Sequence, residues 1–118
     1  MGSGIGDQGS GIAVVLTTLG ADGDPETLAR TLAEEQLAAC VNVLPVMTSV
    51  YRWKGKVEQE PERQLIIKTS TSRVAALEAR LRELHPYDLP EFVVLDATVS
   101  AAYAAWVEEN TQSPKPKA

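Results

Sequence analysis

The sequence predicts an α+β domain with elements in the order βαββαβ and one more helix at the end. Three observations carry this. Short apolar runs rich in β-branched residues recur at 12–18, 64–69 and 92–98. Apolar residues at helical spacing fill the gaps, and Lys54-Gly55-Lys56 forms a tight turn between two extended stretches. Split βαβ units in this order fold as an antiparallel sheet with two helices on one face.

Taken in order, Ile12 to Thr18 is an apolar run bounded by glycines and reads as a buried strand. Asp24-Pro25-Glu26 starts a helix, with Asp at the cap, Pro in the first position and an acid in the first turn. Leu28, Ala29, Leu32, Ala33 and Leu37 then repeat on one face. Val41 to Trp53 is extended, and Pro45, which cannot donate to a ladder, predicts a bulge or an edge. After the turn, where Gly55 is free to take positive φ, the return strand reads as interrupted at Glu60-Pro61-Glu62 and resumed at Gln64 to Thr69. Ser70 or Thr71 caps the next helix, whose stripe is Val74, Leu77, Leu81 and Leu84. His85-Pro86 ends it, since a residue before Pro is pushed out of the α region. Pro86 to Glu91 is a stiff connector, Phe92 to Thr98 the fourth strand, and Ala101 to about Asn110 the last helix, with Tyr103, Trp106 and Val107 on one side. Residues 1–11, which hold five of the eight glycines, and 112–118, with two prolines, read as loose tails around a domain of 12–111. The hairpin arm around Trp53 is longer than so small a sheet needs, and both its faces carry apolar groups. A homo-oligomer knit by this arm resolves that edge liability.

Composition removes several function classes. Sixteen acids against 11 bases give a net charge of −5, which disfavours a nucleic-acid partner. No apolar stretch approaches the roughly 20 residues of a membrane span, and no secretory signal pattern opens the chain. The lone Cys40 makes no intramolecular disulfide, which suits a reducing, cytoplasmic setting. One Cys and one His cannot close a tetrahedral zinc site within one chain. An RNA-recognition module needs exposed aromatics on its interior strands, whereas these read Leu65-Ile66-Ile67 and Val93-Val94-Leu95. A soft-metal carrier needs Cys-x-x-Cys after the first strand, and Leu16 to Gly20 has no thiol.

The polar residues that remain are few. His85, at a helix end, reads first as a cap for the last carbonyls and second as a ligand or base. Cys40 reads as a small buried hydrophobe. Lys54, Lys56 and Glu58 flank the turn, Lys68 ends an apolar strand, and Tyr51 and Trp53 share one face as interface anchors. Tyr87, Asp88 and Glu91 crowd the connector beside His85, a polar pocket or loose cation site that gains force if a threefold axis gathers copies.

Leu37-Ala38-Ala39-Cys40-Val41-Asn42, Thr48 to Lys56 with Glu58, Leu65 to Thr69, Leu84 to Glu91 and Tyr103 to Val107 together resemble the CutA divalent-cation tolerance family, in order and at its spacing. The resemblance implies a ferredoxin-like subunit in a tight, PII-like homotrimer, cytoplasmic or organellar, without enzymatic activity. It implies inter-subunit clefts lined by Cys40, Tyr51, Trp53, Lys54, Glu58, Lys68, His85, Tyr87 and Glu91. A small ligand or a divalent metal ion, Cu2+ or Zn2+, would sit there with no organic cofactor, His85 being the metal ligand. A trimeric protein-interaction scaffold or PII-like signalling protein without metal is the alternative. Two departures bear on copper: Thr17 stands where the family has a ligating Cys, and Leu84 stands where it has a first His before His-Pro-Tyr. A third, Ser100 in place of Gly, keeps a helix cap.

Overall fold

The computed structural model describes residues 11–114; of the expected tails, 1–11 and 112–118, residues 1–10 and 115–118 lie outside the described residues, while the Gly11 carbonyl accepts from the Thr71 N–H and the Gln112 N–H donates to Gln36 Oε1. Four strands, β1 (Ile12–Gly20), β2 (Cys40–Trp53), β3 (Lys56–Ser70) and β4 (Val93–Ala97), form one antiparallel sheet of order β2-β3-β1-β4. Helices α1 (Pro25–Glu34) and α2 (Val74–Leu84) make the two crossovers, and α3 (Ala101–Glu109) follows β4. Two interlocked split βαβ units in this strand order are the ferredoxin-like fold.

Period-2 alternation divides the sheet. Val15, Leu19, Leu65 and Ile67 face the helices and bury against Leu28 and Leu32 of α1 and Leu77 and Leu81 of α2. Each such side chain contributes roughly 1.5–3 kcal/mol when fully buried. The alternate residues Val14, Leu16 and Ile66 line the opposite face and are half-buried, while Val93 and Leu95 on β4 are 41% and 48% exposed. The apolar run 93–95 therefore lies in an edge strand, not the interior one its composition suggests. One end of this open face is closed by α3, where Val107 is buried and Thr111 Oγ1 bonds Ser70 Oγ.

The caps follow the sequence in two of three places. Asp24 accepts from the Thr27 N–H at 3.1 Å, and Ser100 from that of Tyr103 at 3.2 Å. At α2, neither Ser70 nor Thr71 caps; a 3₁₀ turn (Thr71–Arg73) leads in, and the Ser70 hydroxyl is taken by Thr111. The hairpin turns at Lys54 and Gly55, with φ of 51° and 81°, the positive pair that matches the strand twist. Pro45 lies in the register shift between Val43 and Val46, the expected bulge. The expected break at 60–62 does not occur, and β3 is continuous. The Pro61 carbonyl accepts from the Ala21 N–H, so its missing N–H points to the same side, just past the last β1 pairing at Gly20↔Glu62. No ladder bond is lost there. Beyond that point β2 and β3 continue as a two-stranded ribbon.

Candidate functional site

A cleft of about 840 Å³ opens where this ribbon leaves the sheet, on the face away from α1 and α2. Its wall is the alternate set Met47, Ser49, Tyr51 and Trp53 of β2 against Glu60, Glu62 and Gln64 of β3, with Arg52 at the rim. Thr18 forms the floor, and the connector 87–91 closes the far side.

Hydrogen bonds lock the connector in place. The Tyr87 hydroxyl donates to Glu62 Oε2 at 2.8 Å, and Gln64 Nε2 donates to Thr17 O at 2.6 Å and Glu91 Oε2 at 3.0 Å. His85 is 7% exposed and stands behind this wall. Its Nε2 lies 2.6 Å from Thr18 O, and its Nδ1 accepts the Tyr87 N–H at 3.2 Å, so the tautomer protonated on Nε2 satisfies both. The ring thus bonds β1 rather than the last carbonyls of its own helix. It is the pin that fixes the connector to the sheet.

Of the nine expected site residues, Tyr51, Trp53, Tyr87 and Glu91 meet in the cleft. Glu58 pairs with Tyr51 across the ribbon, and Lys54 holds its Nζ 5.9 Å from the Trp53 ring centroid. Cys40 and Lys68 pair at the other end of the sheet, about 13 Å along β3 from Gln64. There Lys68 Nζ donates to Asn42 Oδ1 at 2.8 Å. Glu60, Glu62 and Gln64 were missed. The spacing Glu58-x-Glu60-x-Glu62-x-Gln64 puts four polar groups on one strand face, a signal hidden by reading Pro61 as a break.

The cleft's electrostatics are acidic. Burial first, and then the bond to the Glu62 carboxylate, raises the Tyr87 phenol well above its ordinary value of 10.0. Desolvation first, then Glu60, Glu58 and Glu62, raises Tyr51 as well. A raised folded value means the native state holds these protons longer than the unfolded chain does. Their contribution is therefore complete below about pH 10 and is lost as pH rises toward the folded value. Denaturant melts across pH 9–11 should show stability falling, and Tyr87→Phe should flatten that fall; an equal slope in the variant would contradict the Tyr87–Glu62 bond.

Among the described residues of one chain, these form no preformed copper or zinc site. Both His85 nitrogens are engaged, so a metal there must displace one of two hydrogen bonds. Among the described residues no three of His, Cys, Asp and Glu are grouped to hold an ion. Thr17 points into the helix-facing core, and its hydroxyl has no hydrogen-bond partner among the described residues. An unpaired buried hydroxyl costs about 1–3 kcal/mol, so Thr17→Val should stabilise the fold by about 1 kcal/mol in chemical denaturation. A destabilised variant would mean that the hydroxyl is paired in solution.

Comparison with known proteins agrees with this architecture. A family model described as "CutA1 divalent ion tolerance protein" matches residues 13–110. The divalent-cation tolerance protein CutA of Thermus thermophilus is 44% identical over 99 residues, covering 83% of this chain and 96% of that one. A solved structure of the divalent cation tolerance protein from the same organism superposes with a TM-score of 0.81 at 43% identity, covering 86% and 99%. That of the PII-like protein CutA from Nostoc, in apo form, gives 0.79 at 40% identity, covering 85% and 97%. Strand order, hairpin arm and the match over nearly the whole described chain place this protein in the CutA1 divalent ion tolerance family.

Proposed function

We propose that the chain acts as a non-enzymatic, PII-like homotrimer whose clefts, completed between subunits, bind a small ligand and report or buffer it in the cytoplasm. The observation that carries this reading is the ribbon. Val46, Val50 and Val57 sit on its helix-side face at 60%, 63% and 65% exposed, with no neighbour among the described residues to cover them. A long apolar ribbon survives in water when another chain pairs with or covers it. The exposed Val93 and Leu95 on the open sheet face support the same conclusion. The walls left for a ligand carry carboxylates and aromatic rings with no nucleophile–base pair, which supports binding over turnover. The engaged nitrogens of His85 favour a small molecule over copper or zinc.

Light scattering on the eluting protein tests the assembly. The expected mass is three times the chain's 12.7 kDa at micromolar concentration, and a single-chain mass overturns the trimer. A scaffold is the second reading, favoured by Trp106, 44% exposed with its ring 5.6 Å from that of Tyr103 on α3. Trp106→Ser separates the two: lost capture of a partner protein with cleft binding intact supports the scaffold.

A further inference from the structure

We propose that the cleft binds a linear organic polycation, a di- or polyamine, an assignment that rests on reading the cleft as a ligand site. Within one chain its size falls in the range of sites for small organic molecules, well above what one ion needs. Two features of the wall then select the chemistry. Tyr51, Trp53 and Tyr87 present ring surface, and ring faces attract ammonium groups and pack methylene stems. The carboxylates are strung along the cleft rather than gathered at a point. Glu60 and Glu62 sit two residues apart on β3, and Glu91 lies across on the connector. Glu62 and Glu91 each accept one hydrogen bond from within the fold, from Tyr87 and Gln64, which leaves acceptor capacity for a bound N–H.

The protein already shows the recognition on a small scale. The Lys54 ammonium, four methylenes from its backbone, sits 5.9 Å from the centroid of Trp53. It occupies a ring that a ligand amine would share, and so acts as an internal competitor. A strongly hydrated metal ion such as Mg2+ gains little from the rings, and a single quaternary ammonium cannot reach carboxylates on both walls. Spaced ammonium groups on an apolar stem match both features, and the net charge of −5 adds long-range attraction.

Isothermal titration of the 118-residue chain with spermidine, tetramethylammonium and Mg2+ tests this, on protein whose mass in solution is already known. Spermidine should bind, and raising salt from about 50 to about 300 mM should weaken it roughly tenfold. Glu62→Gln and Glu60→Gln should each weaken it roughly fivefold to tenfold, Trp53→Leu at least about threefold, and Lys54→Gln should tighten it about threefold. Equal affinity in the Glu62, Glu60 and Trp53 variants overturns the assignment. So does displacement of spermidine by equimolar Mg2+, or tighter binding of tetramethylammonium. A trimer that takes no spermidine overturns the polyamine assignment and leaves the trimer standing, whereas a monomer that binds it overturns the trimer alone.

Discussion

Replacing Val50 and Val57 together with Glu is expected to convert the proposed trimer into single subunits that remain folded. Both valines are largely exposed within one chain, on the helix-side face of the ribbon, and neither belongs to the core. Surface substitutions of this kind change the stability of a subunit by no more than about 0.5 kcal/mol. If the ribbon is covered by a neighbour, however, each subunit must bury two new carboxylates without partners. Burying an unpaired charge costs several kcal/mol, so association should weaken by roughly 10³-fold or more. Circular dichroism would report an intact fold and light scattering a single-chain mass. A double variant that keeps its trimeric mass would show that this face of the ribbon stays in water.

The second large effect is at His85. His85→Ala is expected to lower subunit stability by about 2–4 kcal/mol in metal-free buffer. The ring fills a buried position, and its loss leaves Thr18 O without its 2.6 Å partner and the Tyr87 N–H without an acceptor. An unpaired buried carbonyl costs about 1–3 kcal/mol, and the emptied volume adds to that. The connector should loosen with it, so the Tyr87–Glu62 bond and the far wall of the cleft go together. His85→Gln, which can donate to Thr18 O, should recover part of the loss. A residue held for metal ligation behaves differently: its removal costs little without metal and abolishes metal-dependent stabilisation. Chelator-treated wild type and His85→Ala with equal stability would contradict the pin.

Much of the fold was legible because local chemistry and global topology agree. Asp24, Ser100, Gly55 and Pro45 each act at their own positions as cap, turn or bulge, with no need of distant neighbours. Where reading failed, a tertiary fact decided. Pro61 is harmless only because β1 has ended beside it, which no local pattern reveals. Ser70 makes no cap because Thr111, 41 residues away, takes its hydroxyl. Val93, Val94 and Leu95 look interior in composition, yet sit in an edge strand of the sheet and stay exposed. The site was half legible for the same reason. Tyr51, Trp53, Tyr87 and Glu91 stood out by type, whereas Glu60, Glu62 and Gln64 required a continuous β3 to be placed on one face. His85 was identified by its rarity, but its partner is a backbone carbonyl 67 residues away, a contact that no local pattern reveals.

The most direct test of the account is amide hydrogen exchange of the ribbon, residues 46–53 and 56–61, in the wild-type protein. If neighbouring subunits cover it, its amides should be protected nearly as strongly as those of β1 and the central part of β3, and protection should fall on dilution below the trimer's dissociation range. Ribbon amides that exchange at the rate of a free hairpin at every concentration would contradict it, and with it the inter-subunit cleft.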